Sequence, residues 1–174
     1  MRYKTAMKGP AQMESIVKPV TWTDTPEGGV GVFKGLCSDK GEELILNRNM
    51  FIECVLPSSI IRKLSQTEMD AYQAPHLDAD DRQPLLNWPR QIPIEGEPEN
   101  IVALVNEYGA FMAANEMPKL FLNADPGSIL TGSQREYCRS WPNQQEVTVK
   151  GSHFLQEDSP IEIGQAVAKW MKSF

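Results

Sequence analysis

Residues 117–174 switch repeatedly between two hydrophobic periods, and that switching constrains the fold more than any other feature of the chain. "MPKLFLNADPG" is a short apolar run closed by a turn signal, the pattern of a strand buried on both faces. "QQEVTVKG" alternates and stops at glycine, which predicts a second strand. Between them, "SQREYCRSWPN" has helical spacing and must stop before Pro142, because proline disfavours helix in the residue before it. Upstream, Ile101, Leu104, Val105, Tyr108, Phe111 and Met112 share a helical face, and downstream so do Ile163, Val167, Trp170 and Phe174. Ser159, Pro160 and Glu162 are spaced as N-cap, N1 and N3 of a capping box that opens the last helix. The order helix–strand–helix–strand–helix predicts parallel strands with right-handed crossovers, the tail of an α/β sheet.

The middle of the chain reads differently. From Thr23 to Glu97 it holds short apolar clusters, prolines and helix starts such as Ser65 with Glu68, and no strand alternation. This predicts a helical insertion, with "LLNWPRQIPIEGEPEN" as an extended return to the core. "YKTAMKGPAQMES" is a candidate strand, although Pro10 cannot donate to a central ladder. The organisation expected is therefore 1–22 as a core strand, 23–97 as a helical insertion and 98–174 as the C-terminal α/β core.

Composition removes several function classes. At 174 residues the chain can bury one real core, and 41% apolar with 23% charged residues is the balance of a globular protein. A net charge of −6 with no basic stripe argues against a nucleic-acid surface. No apolar run is long enough to span a membrane and "MRYKTAMKGP" has no signal-peptide core, so a cytoplasmic location is expected. Cys37, Cys54 and Cys138 are odd in number and form no CxxC pair, which excludes a zinc knuckle or a disulfide framework.

Histidine is used twice, and His153 lies in "KGSHFLQEDSP", between the second predicted strand and the last helix. On its own such a histidine is well read as a hydrogen-bonding loop residue. It is also where open α/β folds place their chemistry, at the carboxyl edge of the sheet, and where a general base would stand. Two carboxylates end predicted strands upstream, Glu14 after "GPAQM" and Asp125 after "LFLNA", and either could orient the imidazole through Nδ1. Spacing does not choose between a surface glutamate, a turn aspartate and a catalytic acid.

The segments "QMESIVKPVTW", "GEELILNRNMFIECVLP", "LNWPRQIPIEGEPENIV", "PKLFLNADPG" and "VKGSHFLQEDSP" closely resemble the haloalkane dehalogenases of the α/β-hydrolase fold. The resemblance runs along nearly the whole chain. It implies a fold made of the last three parallel strands with their helices plus a helical cap over residues 23–97. It implies that His153 is the base that activates water, that Glu14 in "QMES" is the catalytic acid, and that Asp125 is not. Phe33, Phe51, Val55, Trp88, Pro89, Ser128, Ile129 and Phe154 match positions lining the family's apolar substrate cavity. The implied reaction hydrolyses a carbon–halogen bond through an alkyl-enzyme ester, with a small halogenated aliphatic substrate, water and a halide ion, and with no metal or organic cofactor. A cofactor-independent luciferase on the same scaffold, and a non-catalytic truncated product, are the alternatives.

The resemblance also exposes differences. The family's nucleophile is an aspartate on a tight elbow, and no G-x-D-x-G or G-x-S-x-G motif occurs in these 174 residues. The chain is accordingly expected to be a C-terminal part, inactive alone, with a nucleophile-bearing N-terminal half as its partner. Gly28, Gly29 and Gly31 fall where the family enters its cap by a helix, and each costs about 1 kcal/mol against alanine there, which predicts fraying.

Overall fold

The computed structural model describes residues 6–25 and 27–173. Three parallel strands form one sheet in the order β1–β2–β3: β1 is Ala11–Gln12, β2 is Lys119–Pro126 and β3 is Gln144–Gly151. The register pairs Ala11 with Leu120 and Gln12 with Phe121 on one side of β2, and runs from Lys119 with Gln144 to Pro126 with Gly151 on the other. The central strand is the one with the unbroken apolar run, as a strand covered on both faces requires. β1 is shorter than the candidate strand around it. Pro10 still joins the ladder by its carbonyl, which accepts from the Leu120 N–H at 2.9 Å, but it has no N–H to return.

Between β1 and β2 the chain is helical. α1 (Glu27–Cys37) is followed by two π-helical turns, Glu43–Asn47 and Phe51–Val55, and by the short α2 (Leu56–Ser58). α3 (Gln66–Gln73), α4 (Gln83–Asn87) and α5 (Glu99–Ala114) complete the run, with α6 (Gly132–Arg139), α7 (Leu155–Asp158) and α8 (Pro160–Met171) in the C-terminal part. α1 forms across Gly28, Gly29 and Gly31 rather than fraying. Leu36 packs with Ile45 and Leu86, so burial of that face offsets the backbone cost of the glycines. α3 opens with the expected box: the Ser65 hydroxyl accepts from the Glu68 N–H, and the Glu68 carboxylate accepts from the Ser65 N–H. The return to the core is less extended than its sequence suggests. Its first half forms α4 and a turn of 3-10 helix at Pro89–Gln91, and extended pairing begins only where Ile94 bridges Val20.

The pleat of β2 builds two cores. Phe121 points to one face, among Met112 of α5, Cys138 of α6, Val17, Leu130 and Trp141. Tyr108 and Tyr137 meet the Trp141 ring edge to face, at 5.8 and 5.9 Å between centroids. Leu120, Leu122 and Ala124 point to the other face, against Val149, Leu155 and Trp170, with Ile163 and Val167 of α8 beside them. Full burial of each large side chain contributes about 1.5–3 kcal/mol. Phe174, expected on the α8 face, lies outside the described residues.

The capping box predicted at Ser159 does not form. Its hydroxyl donates instead to the Lys150 carbonyl at 2.6 Å, closing the base of the loop after β3. At the opposite edge of the sheet, the wholly buried Lys119 donates from Nζ to the carbonyls of Asn115, Met117 and Pro142 at 2.6, 3.1 and 2.8 Å. That ammonium ties the end of α5 to the turn before β3. Its burial pulls the lysine pKa down, while Glu116 nearby opposes the shift.

Lys119→Met keeps the stem but leaves three carbonyls without their donor, and should lower unfolding stability by about 1–3 kcal/mol in urea titrations at unchanged m-value. A stability equal to the unsubstituted chain would mean that this edge is wet. The core face is tested by thiol chemistry. Cys138 is buried and its thiol is pushed up to about 12, chiefly by burial, whereas Cys37 and Cys54 are exposed. A polar thiol reagent should label Cys37 and Cys54 in buffer and Cys138 only in denaturant; three thiols reacting together in buffer would contradict this packing.

Candidate active site

The carboxyl ends of β2 and β3 lie side by side, since Pro126 pairs with Gly151, and the segments leaving them carry the candidate residues. Glu14 follows β1 in a left-handed conformation, φ 41°, which turns its side chain inward. The side chain is only 3% exposed, so its carboxylate has to find protein partners. Oε2 accepts from the backbone N–H groups of Ser128 and Ile129 at 2.9 and 2.7 Å. Those two amides are aimed by a tight turn at Gly127, φ 73°, where an added Cβ would come within 2.9 Å of both Glu14 Oε1 and Arg135 Nη2. Only glycine fits between the carboxylate and the guanidinium. Arg135 holds the same turn from outside, donating to the carbonyls of Ala124, Pro126 and Leu130 at 3.0–3.1 Å.

His153 comes from the other strand end. Its Nδ1 stands 3.6 Å from Glu14 Oε2, and the imidazole is 36% exposed. That separation is beyond an ordinary hydrogen bond. Catalytic contacts of this kind are often long before substrate binds. Nδ1 is buried and has no hydrogen-bond partner among the described residues. A carboxylate facing Nδ1 favours the Nδ1–H tautomer and stabilises an imidazolium, which leaves Nε2 to take a proton. Asp125, the other carboxylate weighed from the sequence, is exposed at the end of β2 and makes no ion pair with His153 among the described residues. The second histidine, His76, spends Nδ1 on the Tyr72 carbonyl at 3.0 Å, a purely local contact.

The eight residues matched to a substrate cavity do not gather in one place. Ser128, Ile129 and Phe154 flank the Glu14–His153 pair, with the Phe154 ring 4.9 Å from the imidazole. Phe33 and Ile129 share a small apolar cavity of about 20 Å³ with Ile16, Val20 and Ile94. Phe51, Val55, Trp88 and Pro89 do not line it. Phe51 packs against Leu36, Ile45 and Leu86; Val55 is half-buried on the second π-helical turn; Pro89 is buried; Trp88 is 79% exposed. A cavity of that size holds little more than one water, far below the several hundred Å³ of a substrate pocket.

Sequence reading missed the residues that hold the pair in place. Gln134 accepts from the N–H groups of Val17 and Lys18 and donates to the carbonyls of Lys18 and Pro19, fastening the chain after Glu14 to α6. Asp24 accepts from the Ser133 and Thr21 hydroxyls; burial pushes its carboxyl up, but these bonds hold it below the ordinary range. Asp158 accepts from backbone N–H groups on both the helical segment and the His153 loop. Polar side chains at these spacings carry no sequence signal beyond the acidic run "QEDSP". Among the described residues, no three His, Cys, Asp or Glu side chains cluster as metal ligands, and no helix is long and apolar enough to cross a membrane.

No protein-family model matches the chain. It is 48% identical over 172 residues to a haloalkane dehalogenase of Sphingobium indicum, covering 98% of this chain and 58% of that protein. Against a haloalkane dehalogenase of Mycolicibacterium smegmatis the identity is 46% over 174 residues, covering 98% and 56%. A coelenterazine h 2-monooxygenase of Renilla reniformis is 36% identical over 178 residues, covering 99% and 55%. The chain thus spans less than three-fifths of the length of these relatives. Among solved structures, a proposed ancestral haloalkane dehalogenase superposes with a TM-score of 0.93 at 36% identity, over 99% of this chain and 62% of that one. The haloalkane dehalogenase of Bradyrhizobium elkani does so at 0.90 and 35%, over 95% and 59%. In sequence and in fold alike, the chain is similar to the C-terminal part of the haloalkane dehalogenases, and its three parallel strands with helices match that part of an α/β hydrolase.

Proposed function

We propose that the chain supplies the water-activating part of a haloalkane dehalogenase, with His153 as general base and Glu14 as the acid that orients it. One observation carries the reading: a buried carboxylate, fixed by two backbone amides, faces the Nδ1 atom of the one histidine at the carboxyl edge of the sheet. Residues 23–97 act as the cap, and 1–22 with 98–174 as the core that presents the pair.

The reaction proposed has two steps. A carboxylate from outside these 174 residues displaces halide from an sp³ carbon of a small haloalkane, forming an alkyl ester. His153 Nε2 then takes a proton from water as the water oxygen adds to the ester carbonyl, and Glu14 stabilises the resulting imidazolium. Collapse of the adduct expels the alkoxide, which takes back the proton held on His153 and leaves as an alcohol carrying the oxygen that first attacked carbon. The water oxygen stays in the restored carboxylate and water's second proton is released with the halide, so no metal or organic cofactor enters the balance. Ile129 and Phe154 set apolar surface beside the pair, which suits such a substrate, because a dry site strengthens the electrostatics felt by the departing halide. A luciferase-like oxygenation draws on the Renilla reniformis relative, at 36% identity against 48% for the dehalogenase.

The test joins this chain to the N-terminal portion of the Sphingobium indicum relative and presents 1,2-dibromoethane. The unsubstituted protein should release bromide continuously. With His153→Phe it should release one equivalent and stall, with the alkylated protein visible by intact mass, since losing a general base costs on the order of 10²–10⁴ in rate. Steady turnover with His153→Phe, or no adduct while the unsubstituted protein turns over, would remove His153 from the role.

A further inference from the structure

His153 has two backbone neighbours, and the N–H groups of both are committed to one place. The Phe154 N–H donates to the Ser59 carbonyl at 3.1 Å. The Ser152 N–H donates to Asp158 Oδ2 at 3.0 Å. The same carboxylate accepts from the Ile61 N–H at 2.9 Å and from the Arg62 N–H at 3.0 Å, both through Oδ1. Residues 59–62 belong to the turn that follows α2, in the helical segment. The loop that carries the imidazole is therefore moored on both sides of His153 to a single turn of that segment, directly at Ser59 and through one carboxylate at Asp158.

The mooring is deep in charge as well as in contacts. Burial pushes the Asp158 carboxyl up, yet the backbone N–H groups of Arg62, Ser152 and Ile61 and the nearby Arg62 guanidinium hold it below the ordinary range. Arg62 also pairs with Glu157 at 2.6 Å and Glu68 at 2.7 Å, and the Tyr72 hydroxyl donates to Glu157 at 2.6 Å. These contacts fasten α3 to the same loop. Gly151 admits no Cβ, because Leu155 and Asp158 already fill the space, so the start of the loop is pressed onto the residue that moors it.

We propose that Asp158 is a positioning residue for His153, setting the imidazole against Glu14 by locking the His153 loop to the 59–62 turn. The proposal rests on the reading of Glu14 and His153 as a working pair. Its consequence is that the base and the helical segment move together: a shift of the 59–62 turn shifts His153, and the segment controls when the base is aimed.

The measurement is imidazole nitrogen NMR on the 174-residue chain at mildly alkaline pH. The unsubstituted chain should show His153 biased to the Nδ1–H tautomer, with distinct Nδ1 and Nε2 shifts. Asp158→Ala should abolish that bias and leave His153 with the averaged shifts of a free imidazole. His76, whose Nδ1 contact is confined to the Tyr72 carbonyl, should keep its shifts and serves as the internal control. If Asp158→Ala does not fold, Asp158→Asn, which keeps the shape and one acceptor, decides in its place and should weaken the signal. A His153 signature unchanged in a folded Asp158 variant overturns the positioning role while the Glu14–His153 pair stands. An Nδ1 nitrogen without its proton in the unsubstituted chain overturns the pair itself, and the proposal with it.

Discussion

A buried carboxylate needs protein donors, and the rest of this site follows from how one oxygen of Glu14, Oε2, finds them. Two successive backbone amides give up their hydrogens to one oxygen, which requires the chain after β2 to turn sharply at Gly127. That turn is held by Arg135 through three carbonyls, and Gly127 has no room for a side chain because the guanidinium and the carboxylate close on it from either side. Glu14 itself adopts a left-handed backbone conformation to reach inward, a cost of order 1–3 kcal/mol that only over-determined surroundings sustain. Gln134 supplies part of that over-determination by gripping residues 17–19 just downstream.

The sheet divides the work between its two edges. At the amino edge, Lys119 satisfies three carbonyls with one ammonium and fixes where β2 and β3 begin. At the carboxyl edge, parallel register brings Pro126 level with Gly151, so the Glu14-binding turn and the His153 loop leave the sheet as neighbours, joined by the Gly127 N–H to the Gly151 carbonyl at 3.0 Å. Parallel pairing is what gathers the chemistry at one edge. The buried apolar faces of β2 then make that juxtaposition rigid.

Where local chemistry decides, the sequence was legible. β3 falls on the alternating octet 144–151, α5 on its amphipathic run, and the Ser65–Glu68 box forms as spaced. Where a distant partner competes, it was not. Ser159 has the spacing of a cap but gives its hydroxyl to the Lys150 carbonyl instead. Glu14 and Asp125 both end strands, and no local rule separates them; the resemblance chose Glu14, and the fold sets that carboxylate 3.6 Å from the imidazole. A positive φ at a glutamate has no sequence signature at all. Asp158 was hidden in an acidic run that reads as an ordinary helix start, because its partners are amides, and amides are the same in every sequence.

The central claim is that Glu14, and not the nearer-looking Asp125 in sequence, holds His153 ready to activate water. Single-turnover decay of the alkyl-enzyme tests it most directly, in the chain joined to the N-terminal portion of the Sphingobium indicum relative. The account predicts that Glu14→Gln slows ester hydrolysis while leaving halide release in the first step intact, and that Asp125→Asn leaves both steps unchanged. Unimpaired hydrolysis with Glu14→Gln, or a hydrolytic stall with Asp125→Asn, would contradict it.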